Sequence, residues 1–279
     1  MIELPEAINL AKQMRETVRG KTVSAVYPPS SPHKFCWFNH EPEEYQALLA
    51  GHTVTGAAGF GIFSELEFDG GVRLGFNDGV NPRFIRKEEV RPKKYQLLLE
   101  FTDGSAIGFT VAMYGSISCH SGDYDNEYYR KSIESISPLT EEFDERYFKE
   151  LLASVKSAMS AKAFLAAEQR IPGLGNGCLQ DILFQAGIHP QRKVLTLSDC
   201  EQNVLWKQVR MVLQAMTEQG GRDTEKDLFG NPGGYQTLMS KNTVASGCPA
   251  CGGGIIKETY LGGAVYYCPS CQKMEEEKR

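Results

Sequence analysis

Four cysteines near the end of the chain carry the clearest chemistry. Cys248-Pro249-Ala250-Cys251 and Cys268-Pro269-Ser270-Cys271 are two Cys-x-x-Cys pairs with 16 residues between them. Two such turns on one hairpin bring four thiolates around a single tetrahedral ion, and Zn²⁺ is the expected occupant. Gly252-Gly253-Gly254 and Gly262-Gly263 permit tight turns, while Ile255-Ile256 and Val265-Tyr266-Tyr267 supply strands between them. Thiol–disulfide chemistry is the weaker alternative, because two matched pairs in one short hairpin suit a metal better. With all four positions filled by protein, the ion would be structural, and its binding would supply much of the hairpin's folding energy.

A second constellation is Ile171-Pro172-Gly173-Leu174-Gly175-Asn176, followed by Ile182-Leu183-Phe184-Gln185-Ala186-Gly187-Ile188-His189-Pro190. A Gly-rich turn between two helices exposes backbone N–H groups, and a helix N-terminus favours an anion. Asn176 adds an amide donor. Read alone, the segment is better taken as a plain helical hairpin whose glycines only permit the turn.

The elements that must position these groups follow from periodicity. Pro5 suits a first helical turn; Ala7, Leu10, Ala11, Met14 and Val18 recur at helical spacing, and Gly20 offers a stop. From Lys21 to about Ser118 the pattern is of short strands, namely 22–27, 63–68, 95–101 and 107–111, separated by turn signals such as Asp69-Gly70-Gly71 and Thr102-Asp103-Gly104. A short helix is expected near Glu43–Leu49. Residues 120–140 are polar and read as a linker. Helical spacing then returns at Tyr147–Leu152, Ala161–Gln169 and Leu179–Ala186. Ser198 with Glu201 makes a capping box for a long helix through Leu205, Val209, Val212, Leu213 and Met216. The tail 275–279 is expected to be disordered.

Composition is that of an ordinary globular protein: 279 residues, 41% hydrophobic and 23% charged, enough chain for one large or two ordinary domains. No apolar run is long enough to span a membrane, and the start shows no signal peptide, so a cytoplasmic location is expected. Cys36, Cys119, Cys178 and Cys200 are scattered singly, which argues against a disulfide framework. Net charge is −5, mildly unfavourable for a polyanion partner, but residues 151–279 carry 14 lysines and arginines against 12 acids. A DNA contact would therefore lie mostly on the C-terminal half.

Taken in order, Glu3-Leu4-Pro5-Glu6, the Ile171–Asn176 and Ile182–Pro190 segments, the Gly-rich stretch Gly220-Gly221-Arg222-Asp223-Thr224 to Gly233-Gly234-Tyr235, and the cysteine hairpin closing in Cys271-Gln272-Lys273 resemble the formamidopyrimidine-DNA glycosylase/endonuclease VIII family. The match is strong over about 140–273 and at the extreme N-terminus, and weak over about 30–120. The resemblance implies a multidomain α+β protein: an N-terminal β-sandwich with a leading helix (1–130), a helix–two-turn–helix domain (139–244) and a zinc β-hairpin (245–273). It also implies a monomer that binds damaged double-stranded DNA between its halves. Asn176 and Lys162 would be phosphate ligands, and Glu3 would be the proton carrier of a base-excision reaction.

Departures from the family's pattern are as specific as the matches. Where bifunctional members expose a terminal proline as nucleophile, this chain has Ile2. Its bulk should keep Met1 in place and leave a primary amine one residue further out. An α-amine of ordinary pKa near 8 is partly neutral at pH 7 and can form a Schiff base, so Met1 is the candidate nucleophile. Phe60 stands for a phosphate-binding lysine and Gly263 for a phosphate-clamping arginine. Met113 and Tyr114 stand for the arginine and phenylalanine that enter the base stack. The chain is thus expected to be a DNA-repair glycosylase with altered catalytic machinery and possible strand-cleaving lyase activity. The rival is a non-catalytic DNA-binding protein on the same scaffold, and a zinc-stabilised protein unrelated to DNA is the third reading.

Overall fold

A computed structural model describes residues 1–155 and 158–274. The expected tail at 275–279 lies outside the described residues. The elements run α1 (Leu4–Val18), β1 (Val23–Tyr27), β2 (Cys36–Phe38), α2 (Tyr45–Leu49), β3 (Val54–Phe60), β4 (Phe63–Phe68), β5 (Val72–Asn77), β6 (Val80–Ile85), β7 (Leu97–Phe101), β8 (Ala106–Val111) and β9 (Gly115–Ser121). They continue with α3 (Glu127–Glu134), α4 (Glu145–Ala153), α5 (Ala161–Ala166), α6 (Cys178–Gln185), α7 (Asp199–Glu218), β10 (Ile256–Tyr260) and β11 (Gly263–Tyr267).

The first half is a sandwich. One sheet has the order β2-β9-β5-β4-β3, the other β1-β7-β8-β6, with β2 and β9 the parallel neighbours. Apolar residues alternate inward from both sheets, Leu66, Leu74, Phe76 and Ile117 from the first and Val26, Leu97, Leu99, Ile107 and Phe109 from the second. This is how two amphipathic sheets bury their faces. Helix α1 closes the sandwich edge with Ala7, Leu10, Ala11, Met14 and Val18, all buried as their spacing predicts. It lies so close to β3 that a Cβ on Gly59 would sit 2.2 Å from the Ala7 carbonyl oxygen.

The second core is helical. Helices α4 to α7 bury Phe148, Leu152, Phe164, Leu165, Leu179, Ile182, Leu183, Leu205, Val209 and Leu213. Ser198 caps α7 by accepting from Glu201 N, while the Glu201 carboxylate accepts from Ser198 N at 2.8 Å. The C-terminal hairpin β10–β11 packs its cysteines with Met239 in a small third cluster.

Three details depart from the sequence reading. The polar stretch 120–140 contains a helix, α3, capped by Asn126 and held by Tyr129, which enters an aromatic cluster with Phe60, Ile62 and Phe63. Helix α5 ends at Ala166 instead of Gln169, because Glu168 and Gln169 take left-handed φ of 62° and 51° and turn the chain. The long Gly-rich loop is not confined to the helical half. Its Leu228 is fully buried in the sandwich core, and Phe229 packs against Phe84.

Candidate nucleic-acid interface and catalytic site

Three stretches remote in sequence meet at the N-terminus. Ile2 is buried in the sandwich core, and its N–H donates to the Asp78 carbonyl at 2.6 Å. Leu4 N donates to the Gly173 carbonyl at 2.9 Å, tying α1 to the turn before α6. Met1 is 41% exposed, and its amine lies 2.5 Å from Glu225 Oε2 in the Gly-rich loop.

Glu3 faces the other way, into the turn that leads into α6. Its carboxylate accepts from Gly177 N at 2.7 Å, Cys178 N at 2.8 Å and Gly175 N at 3.0 Å. Arg222 adds an Nη1 donor at 3.3 Å. Burial alone would push the Glu3 pKa up. The Arg222 guanidinium, with the N–H groups of Cys178 and Gly177, outweighs burial and holds it below the ordinary carboxylate value. Glu3 is therefore a fixed anion at neutral pH, seated where the turn's N–H groups were expected to hold a phosphate.

Arg222 is the organiser that sequence reasoning missed. It is fully buried and grips Glu6 with two donors, Nε to Oε1 at 3.0 Å and Nη2 to Oε2 at 2.7 Å. It also donates to the Met1 carbonyl at 3.2 Å. The fork geometry suits arginine and no other cation. A Cβ on Gly177 would meet Arg222 Nη1 at 1.3 Å, so this glycine is the socket for the guanidinium. Nothing local marks a lone arginine in a Gly-rich loop as the partner of two glutamates more than 200 residues earlier.

Lys162 and Asn176 converge on the C-terminal hairpin. Lys162 is 4% exposed; its Nζ donates to the carbonyls of Tyr260 and, at 3.3 Å, Gly263. Burial pushes its pKa down. No carboxylate pairs with it among the described residues. Asn176 Nδ2 donates to the Ala264 carbonyl at 3.0 Å, while its buried Oδ1 has no hydrogen-bond partner. Both residues thus grip the hairpin turn at the position where an arginine was expected and Gly263 stands.

Phe60 is not at a polar surface. It stacks on Phe63 at 6.2 Å and meets Tyr129 edge-on at 5.4 Å. Met113 and Tyr114 do project. They form the turn between β8 and β9, with Met113 71% exposed at a left-handed φ of 69°. Gly79 N donates to the Tyr114 carbonyl at 2.9 Å, so this turn is bonded to the same β5–β6 turn that holds Ile2. That turn, which crosses from one sheet to the other, carries Asp78, a second residue the sequence did not single out. Burial raises the Asp78 pKa, opposed by the nearby terminal amine.

The four cysteine sulfurs lie within 4.8 Å of one another. Cys248 and Cys271 sulfurs are 3.8 Å apart, and those of Cys251 and Cys268 3.5 Å. A tetrahedron of about 2.3 Å Zn–S bonds has edges of about 3.8 Å, so the donor set fits such an ion. Gln272, fully buried, ties the hairpin to the end of α6: Cys268 N donates to its Oε1, and its Nε2 donates to the Ile188 carbonyl at 2.9 Å.

Comparison with known proteins covers nearly the whole chain. The profile described as formamidopyrimidine-DNA glycosylase H2TH domain matches residues 135–227. The formamidopyrimidine-DNA glycosylases of Cytobacillus firmus and Bacillus licheniformis are each 28% identical, with 98% of this chain and 100% of theirs aligned. The Lactococcus lactis Fpg in complex with abasic-site DNA superposes with a TM-score of 0.83 at 25% identity, over 97% of this chain and 99% of that one. The same protein bound to DNA containing N7-benzyl-Fapy-dG gives 0.84. No helix among the described residues is long and apolar enough to cross a membrane. The H2TH match, the full-length glycosylase relatives and the fold shared from end to end together support the formamidopyrimidine-DNA glycosylase/endonuclease VIII family.

Proposed function

We propose that the protein is a DNA-repair glycosylase, acting as a monomer on damaged double-stranded DNA, with the Met1 α-amine as its nucleophile. The observation that carries this reading is the amine itself, partly exposed where the two halves meet and 2.5 Å from a carboxylate, Glu225, able to take its proton. In the step envisaged, the target nucleotide is turned out of the stack. The amine nitrogen bonds to C1′ and the bond from C1′ to the base breaks. The amine proton passes to Glu225, and the departing base takes up a proton from an acid.

Asp78 is the better candidate for that acid. Burial raises its pKa, as a proton donor requires, and it is near enough to the terminal amine to feel its charge. Glu3 keeps its charge and spends both oxygens on the turn before α6, so we assign it a positioning role. Lys162, a buried ammonium met by two carbonyls and the Tyr260 ring, and Asn176, whose Nδ2 has a second N–H beside the one given to Ala264, are the proposed phosphate-side residues. A buried charge without a counter-charge is costly, and a phosphate would relieve it. Met113 and Tyr114 are the proposed wedge. Cys248, Cys251, Cys268 and Cys271 would hold a structural Zn²⁺, which supplies the hairpin's rigidity and takes no part in the chemistry.

Borohydride trapping on abasic duplex DNA tests the reading. A covalent adduct mapping to the Met1 peptide, abolished by acetylating the amine while DNA binding persists, is the expected result. Base excision that acetylation leaves unchanged would sink the amine as nucleophile. A second reading, a damage-binding protein without catalysis, is favoured by Ile2 at the usual nucleophile position and by Phe60 drawn into an aromatic cluster. Selective binding to lesion DNA with neither excision nor trapping would establish it.

A further inference from the structure

We propose that Phe35, Trp37 and Tyr114 form a stacking platform for unpaired bases of single-stranded DNA, continuous with the N-terminal site. The proposal takes its polymer from the DNA-binding reading above and rests on it for that alone.

Strand β2 is the edge of the five-stranded sheet, paired on one side only, with Cys36 opposite Gly115 and Trp37 opposite Ser116. Side chains alternate along a strand. Cys36 and Phe38 turn inward and pack on the sandwich core. Phe35 and Trp37 turn outward and remain 48% and 52% exposed. Core packing therefore accounts for the inward pair and leaves the outward pair unexplained. The ring centroids of Phe35 and Trp37 lie 6.5 Å apart at 58°, and those of Trp37 and Tyr114 6.5 Å apart at 55°. The rings form a tilted row whose faces are not consumed by one another.

Charge and continuity point to the occupant. Residues 28–40 contain no Asp or Glu, although the first 150 residues hold 23 acids. Within this stretch Lys34 places its ammonium 5.4 Å from the Phe35 ring centroid, at the outer end of the row. At the inner end, burial raises the Tyr114 pKa and the half-buried Asp78 carboxylate adds to that rise. Contacts run unbroken from the N-terminus outward: Ile2 N to Asp78 O, Gly79 N to Tyr114 O, then ring to ring to Phe35. Successive aromatic faces with a flanking cation are what a sequence-tolerant single-strand path requires, since every base offers a π-face. A strand leaving the wedge turn unpaired would meet Tyr114 first, then Trp37, then Phe35.

The chain has two tryptophans, and Trp206 is half-buried with its indole N–H bonded to the Phe143 carbonyl at 3.0 Å. In a Trp206→Phe background, fluorescence reports Trp37 alone. Titration with the undamaged ten-residue oligothymidylate should quench that emission. Phe35→Ala and Trp37→Ala, both surface changes, should each weaken oligothymidylate binding about fivefold or more. No quenching and unchanged affinity in both variants would overturn the platform. So would a dimer that Trp37→Ala dissociates, because the stripe would then be a contact between copies. Binding of abasic duplex is measured in parallel. Its retention without oligothymidylate stacking defeats only this proposal, whereas oligothymidylate stacking without duplex binding upholds the platform and counts against the glycosylase reading.

Discussion

Two clusters of ionisable groups tie distant parts of this chain together, and they are built on opposite plans. At the N-terminus, Arg222 and three backbone N–H groups answer Glu3, and the same guanidinium grips Glu6. At the C-terminus, Cys248, Cys251, Cys268 and Cys271 turn their sulfurs toward one another. The first cluster carries its own counter-charge and is complete as folded. The second concentrates donors of one kind and needs a cation from outside. Between these extremes stand Asp78, half-buried, and Lys162, buried, ionisable groups that are only partly answered. Where compensation is incomplete, an external ligand has something to gain, and that is where ligands are proposed.

Stripping the metal should break the comparison most severely. Zn²⁺ binding to such hairpins is worth roughly 10–16 kcal/mol in isolated fingers. Chelation, or Cys268→Ala, should abolish protection from hydrogen exchange over 248–272 while leaving the sandwich protected. Equal zinc content and equal protection in the variant would remove Cys268 from the site.

Arg222→Met attacks the self-sufficient cluster. It leaves two buried carboxylates without their guanidinium and should cost about 3–5 kcal/mol in urea unfolding. The pH dependence sharpens the point. Because the folded pKa of Glu3 lies below its ordinary value of 4.5, its contribution is fully present above that value and is lost as pH falls through the folded one. In Arg222→Met the acid-side loss attributable to Glu3 should shrink, so similar acid limbs in both proteins would show that Arg222 is not its main support.

The incompletely compensated groups should give smaller, functional effects. Asp78 has a left-handed φ of 52°, which asparagine tolerates well, so Asp78→Asn should fold normally. Excision should slow about a hundredfold if Asp78 protonates the leaving base; an unchanged rate would send the search for the acid elsewhere. Lys162→Ala should weaken duplex binding and lower the salt slope by about one unit, the signature of one lost phosphate contact. A slope identical to that of the parent would mean that the ammonium serves only the carbonyls of Tyr260 and Gly263.

Legibility in the sequence tracked how local each signal is. The cysteine pairs, the capping box of α7 and the inward faces of α1 and α7 are fixed by neighbours within a few turns, and all were readable. So were Met113 and Tyr114 as a projecting pair, through the family resemblance. Strands β2, β3, β5, β6 and β9 were not singled out, because strand periodicity is weak over five residues and much of β3 and β5 is small or glycine-interrupted. Helix α3 was hidden because its stability comes from Tyr129 docking among Phe60, Ile62 and Phe63, not from an apolar face of its own. The role of Arg222 depends wholly on contacts made across the fold, with Glu3 and Glu6 on one side and Gly177 on the other. The same holds for Glu3: its identity was legible, but its direction, into the turn before α6, was set by partners the local pattern does not reveal.

Leu228 has a wider consequence. It belongs by sequence to the helical half, yet it sits in the sandwich core as a peg in a socket. Gln13 fastens it from α1, with Oε1 accepting from Leu228 N at 2.9 Å and Nε2 reaching Asp227 at 3.0 Å; Phe84 N donates to the Leu228 carbonyl from the sandwich. The two cores are therefore not modules joined by one hinge. Residues 1–130 cut away from the rest would present an open hole in place of that leucine, and a swap of either half with a relative would have to carry the peg and its socket together. Any movement of one core against the other would have to carry these contacts with it or break them.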